Sequence, residues 1–519
     1  MGNDGCQNGY SEVIGIFIGS AKVPKLCVFI LFLWATSDAS AAWRVAETDN
    51  FVIYANAREG TIRKQAERLE RYHCGLSLRF GLKECAKLGR LNRLTIFVVK
   101  NAKEMRELYG DDGRYVGAFY IPRAGRSVAF AQKLDVGKFA VEGNEASLFH
   151  EYAHHFMFNL ANTAYPLWFS EGFAEFYSAA AFDKEGGVIF GRPAKERFYE
   201  LQVSRQVPIE VLVDTQRYRK WRKKSVYDSF YGQSWLLFHY LQFAAERKGQ
   251  LRAYLELLKG DISDTAAAQE AFGDLWQLQK EMYTYLNQNR LNALLVSADR
   301  FVISDISVRK LTNAEAAILP AKLRSERGVD DVEAVEVVQE AEKVASKYTE
   351  SASVWEVLAE ARFDVDDFQG TLDAADRALE IDPLSVRARI YRSYAYTELA
   401  MQDQSAESWS QVSRVLEEHL EFAPDHPIFL REFYLYFTRR GNPPSSEAVE
   451  RLKRALYLAP YDDGLRLLLA QQFVRDRNFA EAIVTLDVIA SNSHSRFQEE
   501  ASRLRDLAIK QLENSEVEP

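Results

Sequence analysis

Residues that break regular structure are scarce in this 519-residue chain. Its 13 prolines and 27 glycines, set against 47% hydrophobic and 27% charged residues, exclude a collagen-like chain and an intrinsically disordered one. Positive charge is in deficit as well: 65 lysines and arginines face 74 aspartates and glutamates, for a formal charge of −9 and an isoelectric point near 5.6. No net positive field exists to attract nucleic acid, which is not expected as a partner. A glycine-rich phosphate loop and a nucleophile elbow are both missing. So are long apolar runs. The longest, residues 26 to 37, is ended by Asp38, well short of the roughly 20 residues that a membrane-spanning helix needs.

That run follows Lys22 and Lys25 and precedes Ala39-Ser40-Ala41, the pattern of a cleaved secretory leader over residues 1–41. The expected location is secreted or periplasmic. An uncleaved N-terminal anchor is the alternative, and it is the only expected route to a membrane. The stretch before Lys22 is long for a leader's basic start and holds a second apolar piece, Ile14 to Ile18, which leaves the true start open. Cleavage removes Cys6 and Cys27 and leaves Cys74 and Cys85. In an oxidising compartment these two either close a short loop or stay as buried thiols.

The length suggests two to four domains at roughly 100–200 residues each. Strand patterns at 51–55, 94–99, 116–121 and 127–132, with a helical pattern over 61–80, give α+β order to a first domain spanning 42–300. Pro122 and Gly125 predict a hairpin turn between the last two strands. Beyond it helical patterns dominate. Pro383, Pro424 and Pro460 each close a helical segment, at intervals of 41 and 36 residues, which signals an all-α solenoid over 312–515. Trp355, Leu358 and Ala378 stand where the tetratricopeptide pattern wants an aromatic, a leucine and a small residue, and residues 312–495 resemble that repeat family. Four or five repeats are expected, capped by a polar helix over 496–513. Stacked helix pairs bury a continuous core and leave a groove. The groove either binds a protein partner or supports its neighbour domain.

Histidine is also rare, with eight in the chain, yet two of them fall in His150-Glu151-Tyr152-Ala153-His154. On a helix, residues four apart share a face, so both imidazoles reach one ion while Glu151 faces its open side. A catalytic zinc site needs a third protein ligand. Pro166 predicts a helix start, after which Glu171 and Glu175 share a face one turn apart. One of them would complete the ligand set, and the other would orient a ligand imidazole.

HEYAHH followed by WFSEGFAEFY is similar to the gluzincin metallopeptidases, such as aminopeptidase N and thermolysin. The closest overall likeness is to bacterial peptidase MA-like proteins with C-terminal tetratricopeptide repeats, through Gly117 to Pro122, His150 to His155, Trp168 to Gly172 and Tyr231 to Trp235. The resemblance implies a mixed sheet with active-site helices, bound Zn2+, and His150, His154 and Glu171 as its ligands. Glu175 matches in spacing the acidic residue that orients a ligand histidine in thermolysin-like enzymes, although it is Glu rather than Asp. Tyr231 matches the tyrosine that opens a later helix and steadies the oxyanion, with Tyr227 and His239 as competitors. His155 points off the metal face.

The implied reaction is hydrolysis of a protein or peptide substrate by zinc-activated water, with Glu151 as general base. An edge strand, either Gly117 to Tyr120 or Ser127 to Ala131, would align the substrate. The Gly-Ala-Met-Glu-Asn motif that holds a free amino terminus is missing, so an endopeptidase is expected over an exopeptidase. The alternative is a catalytically idle zinc domain in a repeat scaffold. One basic run, Arg217 to Lys224, reads as a solvated loop.

Overall fold

The computed structural model describes residues 42–517 apart from 84, 86, 89–91, 111–115, 135, 137, 161, 162, 223–225, 261, 304, 493 and 494. The predicted leader lies outside the described residues. No described helix is long and apolar enough to cross a membrane.

Strands β1 (Trp43–Glu47), β2 (Phe51–Asn56), β3 (Leu94–Val99), β4 (Ala118–Ile121), β5 (Val128–Gln132) and β9 (Ser307–Lys310) form a mixed sheet in the order β4-β5-β3-β2-β1-β9. The predicted hairpin is the antiparallel pair β4 and β5, and β5 then runs parallel to β3. Three short strands, β6 (Ala181–Phe182), β7 (Val188–Phe190) and β8 (Leu294–Val296), make a second sheet. β9 lies between the limits expected for the two domains, and its pairing with β1 carries the first domain to Lys310. The step from sheet to repeats is packed: Leu319 joins Phe97 and Phe130 in one apolar cluster.

The helices of this region are α1 (Glu59–Arg79), α2 (Ala102–Tyr109), α3 (Asn144–Leu160), α4 (Leu167–Ser178), α5 (Lys195–Val203), α6 (Ile209–Leu212), α7 (Thr215–Trp221), α8 (Phe230–Phe243), α9 (Gln250–Leu257), α10 (Asp264–Phe272) and α11 (Leu275–Leu286). Cys74 of α1 is disulfide-bonded to Cys85. Most of the basic run expected as a loop forms α7, because Tyr218 anchors it by stacking on Phe230 at a centroid distance of 3.9 Å.

α3, α4 and α8 are largely buried, and that makes them interior helices. α4 lies between the other two. Gly172 makes this possible: a Cβ there would stand 2.5 Å from the Ser234 carbonyl oxygen of α8. Phe169, Phe173 and Phe176 of α4 are all buried, each contributing about 1.5–3 kcal/mol. Those rings offset the cost of taking two carboxylates of the same helix out of water.

From α12 onward the chain is an array of helical hairpins resembling tetratricopeptide repeats. The helices are α12 (Asn313–Arg327), α13 (Asp331–Ala345), α14 (Ala352–Phe363), α15 (Phe368–Ile381), α16 (Val386–Asp403), α17 (Ala406–Phe422), α18 (Pro427–Arg439), α19 (Ser446–Leu458), α20 (Asp463–Arg475), α21 (Phe479–Ser491) and α22 (Gln498–Val517). They form five pairs and a cap. Pro383, Pro424 and Pro460 follow the ends of α15, α17 and α19, where a proline cannot continue the helix.

The β4–β5 turn rests on the face built by the first helices of these pairs. Gly125 turns the chain at φ +70°, a conformation that favours glycine. Arg123 donates to the Glu326 carbonyl at 3.0 Å, and the Ala124 N–H donates to Asp462 at 2.7 Å. Arg126 pairs with Glu360 at 2.9 Å and donates to the Tyr391 hydroxyl at 3.0 Å. Arg387 of α16 closes this buried cluster on Glu326 and Glu360.

Candidate metal centre

The helical spacing of His150 and His154 on α3 sets their Nε2 atoms 3.1 Å apart. Glu171 reaches in from α4 with Oε2 at 3.4 Å from each of them. Three lone-pair donors thus crowd one point. In a tetrahedral site with bonds of about 2.0–2.1 Å, neighbouring donors stand about 3.3–3.4 Å apart, so the observed triangle fits a divalent ion of zinc's size. Without a cation such crowding of acceptors is unfavourable. The two carboxylates raise His150 instead: burial disfavours its imidazolium, but Glu171 and Glu175 outweigh that and lift it to about 10.

The other nitrogen of each imidazole is also engaged. His150 Nδ1 lies 3.3 Å from Glu175 Oε1, and His154 Nδ1 lies 3.3 Å from Ser170 Oγ. When each Nδ1 donates, to the Glu175 carboxylate and to the Ser170 hydroxyl oxygen, each Nε2 keeps its lone pair for the shared point. Glu175 itself pairs with Arg197 of α5 at 2.8 Å. Burial would raise the Glu175 carboxyl, yet Arg197 and His150 hold it down to about 2, fully ionised. Arg197 donates also to Glu200, which accepts the Gly232 N–H at 2.7 Å, and its guanidinium lies 5.2 Å from the centre of the Tyr231 ring. One arginine therefore ties the carboxylate behind His150 to the first turn of α8.

A cleft of about 670 Å³ opens onto His150, with Glu151, Tyr231 and the β4 residues Ala118 to Tyr120 on its walls. Tyr231 is 37% exposed, and its phenol is pushed well above the usual range, first by the Glu171 charge and then by burial. Its competitors lie elsewhere: Tyr227 donates to Glu200, and His239 is buried between the Gly191 carbonyl and Tyr285. His155 faces away from the shared point, 2.5 Å from the Tyr120 hydroxyl and 4.8 Å by ring centroids from Tyr461 of the repeats. Burial, and next to it His73, lowers His155 to about 3, so it stays neutral.

Of the two strands considered for alignment, β4 is the one with a free edge. The Gly117 carbonyl accepts from Gln132 N–H at 2.9 Å, and the alternation of an antiparallel ladder then turns the main-chain groups of Ala118 and Tyr120 outward. Sequence reasoning missed Ser170, Arg197 and Glu200. Only Ser170 sat inside a quoted motif.

Residues 144–259 match the model of a protein family described as of unknown function, DUF1570. The match starts with α3 and ends just past α9, taking in the three converging residues, Glu151 and Tyr231. No curated protein matches the chain. Among solved structures the chain is similar to TTC0263, a thermophilic TPR protein in Thermus thermophilus, at 17% identity over 37% of this chain and 93% of that one, TM-score 0.29. MamA from Desulfovibrio magneticus RS-1 gives 14% over 39% and 96%, TM-score 0.25. Yeast Tom70 gives 12% over 70% and 69%, TM-score 0.27.

Proposed function

We propose that this chain is a zinc metallopeptidase, an endopeptidase acting on extended polypeptides, whose repeats form a protein-interaction scaffold. The observation that carries this reading is the convergence of His150 Nε2, His154 Nε2 and Glu171 Oε2 within 3.1–3.4 Å of one another, beside a cleft whose wall holds His150 and Glu151. A purely structural zinc would fill all four positions with protein ligands and would need no such base.

When bound, the ion supplies Lewis-acid polarisation of the scissile carbonyl and an acidified water. The outward main-chain groups of Ala118 and Tyr120 take the substrate as an added strand, which orients the peptide bond across the cleft. Glu151 accepts the proton of the attacking water and passes it to the leaving amine. The Tyr231 hydroxyl donates to the oxygen on which negative charge develops. Glu175, kept ionised by Arg197, holds the His150 ring in place. Secretion or periplasmic location is proposed from residues 22 to 41, and the Cys74–Cys85 disulfide supports it.

The test compares wild type with Glu151→Ala for metal content and for cleavage of unfolded proteins. About one zinc per chain in both, with cleavage in wild type alone, is the expected result. Zinc at that level without Glu151-dependent cleavage across a broad peptide library would assign the alternative, an idle zinc domain in a repeat scaffold.

A further inference from the structure

We propose that Glu200 is a positioning residue for the reaction: together with Arg197 it clamps the first turn of α8 so that the Tyr231 hydroxyl stands at the metal cleft. This rests on the peptidase reading above. Tyr231 is the second residue of α8, and a helix start leaves its first N–H groups without partners inside the helix. Ser229, at the capping position, does not supply one. Its hydroxyl lies against the Arg205 carbonyl and the Gln233 side-chain oxygen instead, at 3.2 and 2.7 Å. The Phe230 N–H donates to Asp228 at 3.1 Å, and the Gly232 N–H, on the other side of Tyr231, donates to Glu200 Oε1 at 2.7 Å. A carboxylate from another helix therefore serves as a cap, and its charge suits the positive end of α8.

Both oxygens of that carboxylate are committed. Glu200 is buried, and its Oε2 accepts from Arg197 and from the Tyr227 hydroxyl, the latter at 3.2 Å. The clamp is tight because Gly232 has no side chain: a Cβ there would stand 3.1 Å from the Arg197 carbonyl oxygen and 3.0 Å from Leu201 Cγ. Arg197 then acts in two directions. Its guanidinium pairs with Glu175 behind His150 and also lies 5.2 Å from the centre of the Tyr231 ring, a cation–π contact that holds the ring by its face. Phe230 meets the same ring edge-on at 5.9 Å. The phenol is thereby fixed on a cleft wall that it shares with His150 and Glu151, where its hydroxyl faces the space in which negative charge develops. The orientation of one metal-binding imidazole and that of the oxyanion donor thus depend on one pair of α5 side chains.

The test is a double-mutant cycle on the full chain loaded with zinc, read by hydrolysis of a fluorogenic peptide. Glu200→Gln keeps the shape of the side chain, but its amide nitrogen must face either the Arg197 guanidinium or the Gly232 N–H, so one arm of the clamp is lost. Glu175 stays paired with Arg197. Zinc is therefore expected to remain at about one per chain while kcat falls about tenfold, with KM within about twofold of wild type. In a Tyr231→Phe background the same substitution is expected to cost less than about twofold, because the group it positions is gone. A comparable loss in both backgrounds, or in neither, overturns the proposal. A second readout needs no activity. With 3-fluorotyrosine in place of Tyr231, one narrow fluorine resonance is expected when Glu200 is intact and a shifted, broadened one in Glu200→Gln, with or without zinc. An unchanged resonance overturns the proposal. If Glu200→Gln has no cooperative melting transition, Glu200→Asp, which draws the carboxylate back by one methylene, is held to the same criteria. A shifted resonance without any cleavage by wild type sinks the peptidase reading and leaves the clamp, whereas cleavage by wild type with an unchanged resonance sinks the clamp alone.

Discussion

Two of the charge clusters that the molecule buries are built to opposite rules. Between the β4–β5 turn and the repeats, Arg126 and Arg387 face Glu326 and Glu360, two cations against two anions, and the cluster is neutral by itself. Around α4, the buried carboxylates Glu171, Glu175 and Glu200 face the single guanidinium of Arg197. With both imidazoles neutral, as metal binding requires, that cluster is short of positive charge by what a divalent ion carries, and its donor atoms converge on one point. Balanced buried charge holds two parts of a chain together. Unbalanced buried charge marks a candidate binding site.

The largest expected effect breaks the unbalanced side. His154→Ala removes one of three converging donors and should take zinc from about one per chain to none by elemental analysis, with loss of the metal-dependent rise in melting temperature. Next comes the balanced side. Glu360→Gln leaves Arg126 and Arg387 buried with one carboxylate between them, and a loss of about 3–5 kcal/mol in urea unfolding at pH 7 is expected. The pH dependence follows the same logic. Burial alone would raise Glu360, but Arg126 and Arg387 outweigh it and hold it at about 2, below the roughly 4.3 of an unfolded glutamate. Its contribution is therefore complete above about pH 4.3 and lost as pH falls through about 2, and the variant should show a flatter stability curve over that window.

Tyr231→Phe is expected to lower kcat by about 10²–10³ with zinc content unchanged, as measured by peptide hydrolysis and metal analysis. The smallest effect sharpens the comparison from within the metal cluster. Glu175→Gln keeps the shape and removes one charge, and should weaken zinc binding about 10–100-fold in competition with a chelator. Equal zinc affinity would mean that the charge imbalance plays no part in holding the ion.

Much of this was legible in the sequence because it is local. The i, i+4 histidines, the glutamates one turn apart and the proline-closed repeats all lie within one or two helices, and periodicity reports them directly. The five helix pairs and the cap fall close to where the spacing of Pro383, Pro424 and Pro460 put them. What escaped was long-range or polar. β9 reads Ser-Val-Arg-Lys with a mostly exposed pattern, so no apolar alternation marks it as a strand. Arg197 is one charge among several in α5, and its partner Glu175 belongs to another helix. Arg126 and Glu360 are separated by 234 residues, and no local pattern connects them. The basic run is solvated in its exposed Arg217 and Lys220, as expected, but forms a helix rather than a loop because Tyr218, its second residue, is buried.

The pairing of β9 with β1 has a bearing on how the protein is made. Arg44 pairs with Ala55 of β2 on one edge, but its neighbour on the other edge, Lys310, is synthesised about 260 residues later. At roughly 5–20 residues per second that second edge of β1 stays unpaired for about 15–50 s. During that interval β1 offers an open ladder to any other extended segment, so β9 is the step that withdraws it from aggregation.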